Sequence, residues 1–155
     1  MCMGTVAWRI VAEWHVVLVI DLTYVATPFA AWLIAGGLKF VINSIRARRL
    51  AFGLIGYGGL PSNHTAIVTS VVALLAVRVG IDSPLMAIAI ALAFVVILDA
   101  RSLRGQVGKH AVALNKLSAQ SERPLRERIG HTPAEILAGA VVGAGVGIAM
   151  GWIFG

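Results

Sequence analysis

Charge is scarce in this chain. Only 13% of its 155 residues are charged, 59% are hydrophobic, and the mean hydropathy is +0.88. A soluble domain averages about 45–50% apolar and about 25% charged residues. The composition therefore excludes an ordinary soluble domain and identifies an integral membrane protein. Cysteine is nearly absent as well, and the single Cys2 excludes an internal disulfide or a cysteine-built metal site. No His-Glu-x-x-His pattern occurs, so neither a metal nor another cofactor is expected. Acidic residues number 7 against 13 Lys and Arg, a net charge of +6. The basic residues sit between apolar runs, where membrane orientation and anionic ligands account for them; no nucleic-acid partner is expected.

What is present is a succession of apolar helices. About 20 residues cross a bilayer, so the length allows an all-α membrane helical bundle of about four transmembrane helices. Residues 1–26 read as a separate amphipathic or partly inserted helix with Trp8 and Trp14 at the interface, or else as one more span. Asp21 denies this segment the clean apolar centre of a cleaved signal peptide, and reads as an interfacial or paired acid. Residues 27–155 form one domain. Its first span opens at Thr27-Pro28, read as cap and first-turn proline, and runs to Ile45; the second runs from the elbow Gly58–Thr65 to about Val79. The third covers Leu85 to Leu98, and residues 100–130 form a basic, partly helical extramembrane loop. The fourth runs from Thr132-Pro133 to Phe154, with Gly139, Gly143, Gly147, Gly151 and Gly155 in one stripe. Such a stripe lets a second helix approach closely, either in the same chain or in a second copy, so a homo-oligomer is one possibility.

Alternation of four spans brings one set of polar groups to one membrane face. The set is Lys39 and Arg46 at the end of the first span, Ser62, Asn63 and His64 at the start of the second, Asp99 and Arg104 after the third, and His131 with Glu135 at the start of the fourth. Every Lys and Arg except Arg9 and Arg78 lies on that face, so the positive-inside rule assigns it to the cytoplasm. Each residue has a plainer role available. Lys39 can snorkel, Ser62 can cap a helix, with Pro61 in its first turn, and Thr132-Pro133-Ala134-Glu135 is a capping box. Two histidines, cations and acids converging at helix starts, where free amides favour anions, point instead to phosphoryl chemistry. One histidine can attack phosphorus, the other can protonate the leaving oxygen, and cations can hold the remaining oxygens.

These residues resemble the type 2 phosphatidic acid phosphatase superfamily and, more closely, its divergent small membrane branch. Lys39 and Arg46 are similar to its first motif, with Ala47 where that motif has proline. Pro61-Ser62-Asn63-His64 is similar to the second, with Asn63 in place of glycine. His131 to Gly139 is similar to the end of the third, with Glu135 in place of aspartate and Leu125 at the position of its arginine. Asp99-Ala100, Arg104, Gly108 and Asn115-Lys116-Leu117 resemble the signature of the divergent branch. The resemblance implies His131 as nucleophile, Glu135 as its orienting acid and His64 as leaving-group acid. It also implies a phosphate cradle of Lys39, Arg46, Ser62, Asn63 and Arg104, supported by Asp99 and Arg128. Arg104, Arg126 and Arg128 are the candidates to replace the missing arginine.

The expected function is phosphate removal from a lipid or polyprenyl (pyro)phosphate in a bacterial inner membrane. The alternative is a lipid-phosphate binder or transporter that uses the same cationic pocket without hydrolysis.

Overall fold

The computed structural model describes residues 21–50, 52, 59–117 and 124–154. Residues 1–20, with the expected amphipathic segment, and most of the glycine-rich connector before the elbow lie outside the described residues. Four helices follow in order: α1 Thr23–Ala47, α2 Asn63–Arg78, α3 Pro84–Leu117 and α4 Pro133–Ile153. Among the described residues there is no strand. Helices α1, α3 and α4 are long and apolar enough to cross a membrane, while α2 is apolar but has only 16 residues. Helix α2 is central, packing on all three others and most extensively on α4. The protein is an all-α membrane helical bundle.

Small residues make its interior and large ones its surface. Ala31, Ala35, Ala66, Ala89, Ala93 and Ala100 are buried, whereas Leu33, Phe94 and Val141 are exposed. This pattern suits lipid, because apolar side chains gain nothing by hiding from hydrocarbon, and close backbone approach takes over as the source of packing energy. The α4 stripe shows the effect directly. A Cβ at Gly139, Gly143 or Gly147 would collide with backbone of α2 or of its cap Ser62, and one at Gly151 would stand 3.0 Å from Val77. The partner of the stripe is thus α2 of the same chain.

The helix ends follow local capping chemistry, with three departures from expectation. Helix α1 starts at Thr23, not Thr27; Leu22 stands at the N-cap without a side-chain cap bond, and Asp21 Oδ1 accepts the Thr23 N–H at 3.0 Å. Thr27 is fully buried inside the helix, and its Oγ1 donates to the Thr23 carbonyl at 2.7 Å. Pro28 therefore lies within the helix instead of opening it. Asp21 is the paired acid expected, its partner being Arg78, which also donates to the Phe154 carbonyl. That cluster ties α1, α2 and α4 together at the end of the bundle away from the histidines. The second departure is at the elbow, where Ser62 is the N-cap of α2 and Pro61 precedes it, outside the first turn. The third is α3, which continues unbroken past Leu98 to Leu117, so the first half of the expected loop is a helical extension about 28 Å long. Helix α4 begins as expected, with Thr132 as N-cap in a reciprocal capping box with Glu135.

Candidate functional site

One row of α1 reads Thr23, Thr27, Ala31, Ala35, Lys39 and Asn43, each four residues after the last, so neighbouring members stack while the row winds slowly around the helix. Its first four members are buried, and the row leads through half-buried Lys39 to Asn43. Beside Asn43 the chain turns into the elbow; Gly59 has φ +138°, and its Cβ position lies 3.5 Å from Asn43 Oδ1. A side chain at 59 would be strained in that conformation.

Two backbone hydrogen bonds draw the helix starts together. Ser62 N–H donates to the Glu135 carbonyl at 2.9 Å, and His131 N–H donates to the Ala100 carbonyl at 3.1 Å. As a result the imidazoles of His64 and His131 meet edge to face, with ring centroids 6.0 Å apart and planes at 81°. His64 Nδ1, His131 Nδ1 and Asn63 Oδ1 are all buried without a hydrogen-bond partner among the described residues. Buried polar atoms are ordinarily satisfied, so three such atoms at one place mark a site that a polar ligand or water completes.

Around this pair stand the charges. Lys39, Arg104 and Asp99 act on His64, and Lys39, Glu135 and Arg104 act on His131. Glu135 and Arg126 in turn act on Lys39. Burial, and after it the Lys39 charge, hold the His131 imidazole below the usual histidine range, with Glu135 pulling the other way. These causes favour the neutral imidazole, which has a lone pair available. Arg104 Nε lies 3.4 Å from Asp99 Oδ2, an ion pair that turns the guanidinium along α3.

The remaining candidates have particular positions. Glu135 is only 4% exposed. Its Oε2 accepts the Thr132 N–H at 2.9 Å, and its Oε1 takes Arg128 Nη2 at 3.2 Å. The carboxylate thus serves the cap and Arg128, and reaches His131 through its charge. Ser62 is completely enclosed, and its Oγ accepts from Thr65 Oγ1 at 3.0 Å and from Thr65 N–H at 3.4 Å. It pins the elbow. Arg46 lies two turns beyond Lys39 and is exposed in the last turn of α1. Asn43 has no place among the sequence-based candidates, although its position midway between Lys39 and Arg46 on one helical face is the signal that marks it.

Fold and residues together define a helical membrane protein in which two histidines and nearby cations cluster where the helix starts meet. The chain belongs to the divergent PAP2 family, which it matches over residues 20–146, a range that includes every candidate site residue. It is 28% identical over 147 residues to the uncharacterized membrane protein YuiD of Bacillus subtilis (strain 168), covering 83% of this chain and 93% of that relative. No solved structure matches the chain.

Proposed function

We propose that the protein is a membrane phosphatase that releases phosphate from a lipid phosphate or polyprenyl (pyro)phosphate through a phosphohistidine at His131. The observation that carries this reading is the His64–His131 pair, with ring centroids 6.0 Å apart, beside Lys39 and Arg104, with Arg128 paired to Glu135. Two imidazoles this close can both reach one phosphate group that enters beside them, one as nucleophile and the other as proton donor. An unprotonated ring nitrogen of His131 forms the P–N bond as the P–O bond to the lipid breaks, and His64, protonated beside the bound phosphate anion, gives its proton to the departing oxygen. Water then attacks phosphorus, returns a proton to His64, and frees phosphate and neutral His131. Lys39, Arg104 and Arg128 stabilise charge on the transferring oxygens. Glu135, beneath them, offsets the positive charge that grows on His131. Asn63, at the first position of α2, and Arg46, at the pocket rim, complete the phosphate surroundings, with Asp99 steering Arg104.

Membrane geometry selects a lipid. The pocket lies where apolar helices give way to the basic extension of α3, so a tail stays in the bilayer while its phosphate reaches the histidines. The distribution of basic residues favours a cytoplasmic pocket in a bacterial inner membrane. The pairing of Glu135 with Arg128 favours one other reading, a lipid-phosphate binder or transporter in which the acid stabilises the pocket alone. Phosphate release from phosphatidic acid, phosphatidylglycerophosphate and polyprenyl phosphates, measured with EDTA present, separates the two. Release by the wild type that disappears in His131→Ala supports the phosphatase. Equal binding of one lipid by both proteins, with release by neither, replaces it with the carrier.

A further inference from the structure

Residues 124–131, the segment between α3 and α4, run back along the extramembrane half of α3. Every contact falls on one face of that helix. At the far end Asn115 Nδ2 donates to the Leu125 carbonyl at 2.8 Å and to Glu127 Oε1 at 2.9 Å, while its Oδ1 accepts the Leu125 N–H at 2.7 Å. In the middle, Glu127 backbone lies so close to Gly108 that a Cβ there would collide with its carbonyl oxygen. A Cβ on Gly130 would come within 3.0 Å of the Gly105 backbone, and the His131 N–H is held by Ala100. Ala100, Arg104, Gly108, Ala111 and Asn115 recur every three or four residues, the spacing of a single helical stripe.

The contacts place the strap at successive levels of α3. Leu125 stands beside Asn115, Glu127 beside Gly108, Gly130 beside Gly105 and His131 at Ala100, so the strap is held between a clamp at Asn115 and an anchor at Ala100, with Arg128 between them reaching Glu135 at 3.2 Å. Loosening the clamp gives slack to both Arg128 and His131.

We propose that Asn115 and Gly108 are positioning residues that hold this strap against α3, so that Arg128 and His131 are set for the lipid phosphate. The proposal rests on the phosphatase reading above and gives a role to signature residues that touch no substrate. Its kinetic form is a docking equilibrium: only the docked strap binds substrate, and bound substrate draws the strap closed. The apparent affinity then falls by the undocked excess, while the rate at saturation persists.

Three variants test it: Asn115→Ala, Gly108→Ala and, as control, Gly105→Ala, since a Cβ at Gly105 meets nothing within 4 Å. Hydrogen exchange of the 125–131 amides reads docking without any activity. Phosphate release from phosphatidic acid, with binding of the same lipid, reads the site. Asn115→Ala and Gly108→Ala should exchange strap amides faster and raise KM and Kd about tenfold, corresponding to about one molecule in ten docked, with kcat nearly kept. Gly105→Ala should match the wild type. A merely structural role would lower the active fraction, and hence kcat, at unchanged KM. Faster strap exchange with unchanged KM and Kd overturns the proposal alone, as does unchanged exchange in both variants. A wild type that binds without cleaving ends the phosphatase reading but leaves the Kd comparison in force, whereas one that neither binds nor cleaves ends both.

Discussion

Gly139→Ala perturbs the point where α4 crosses the elbow. The added Cβ would collide with the Ser62 carbonyl and stand 3.1 Å from both Ser62 N and Ser62 Cβ, where ordinary contact begins at 3.4 Å. Backbone cannot swing aside as a long side chain can, so α4 must withdraw from the elbow by several tenths of an ångström, up to roughly 1 Å. The Ser62 N–H to Glu135 carbonyl bond, 2.9 Å, lies at this crossing and stretches with it. His64 and His131 stand on opposite sides of the same crossing, so they separate. Overpacking of this kind costs about 1–3 kcal/mol of stability, and a misplacement of roughly 1 Å at reacting groups costs about 100-fold in rate. The control is Gly145→Ala, on the same helix, where a Cβ meets nothing within 4 Å. Both variants are purified in detergent, scanned for thermal unfolding, and assayed for phosphate release per folded molecule. Gly139→Ala should unfold earlier and lose about two orders of magnitude in rate, with Gly145→Ala like the wild type. A Gly139→Ala protein that unfolds earlier but keeps its full rate per folded molecule refutes the claim that this crossing sets the histidine pair.

Two further outcomes follow from the same geometry. Glu135→Gln retains a capping-box side chain, and the lost pairing involves an Arg128 side chain that is 72% exposed, so stability should change by less than about 1 kcal/mol. The rate should nevertheless fall more than 10-fold, since a charge of this kind under a forming phosphohistidine is worth about 1.4 kcal/mol or more; an unchanged rate in an equally stable variant removes Glu135 from the chemistry. The pH dependence of kcat/KM supplies the other. Neutral His131 is the attacking form, so the rate falls as pH drops through its pKa, which burial and the Lys39 charge have lowered. The acid midpoint should lie below the ordinary histidine value of about 6.5, and Lys39→Met should move it upward by removing a nearby cation. A wild-type midpoint above that value, or a downward shift in the variant, contradicts the assignment.

Much of this arrangement could be read before any coordinates. Ser62 and the Thr132–Glu135 pair announce their helix starts because capping depends on residues only three apart. The glycine stripe marks a close helix crossing, although the sequence does not say that α2 is the helix it meets. Alternation of spans sufficed to bring Lys39, His64, Asp99 and His131 to one end. What escaped depends on distant partners. Helix α1 begins early, where Asp21 accepts the Thr23 N–H while paired with Arg78, and no local pattern around Thr27 reveals that. Residues 99–117 contain no proline, so nothing stops the helix, yet their charge suggested a loop. The strap has no periodicity of its own; its course is fixed by Asn115, Gly108 and Ala100 across the fold. Arg128 could be named as a candidate, but its partner Glu135 emerges only once the strap is laid along α3.

The central claim is a covalent phosphohistidine at His131, and trapping it is the most direct test. Detergent-purified protein is mixed with a lipid phosphate carrying labelled phosphorus, quenched within milliseconds under alkaline conditions, and digested for peptide mapping. The account predicts label that is stable to base and labile to acid, located on His131 and absent from His131→Ala. Phosphate release by the wild type with no such label at any quench time would contradict it, and would assign the attack on phosphorus to water.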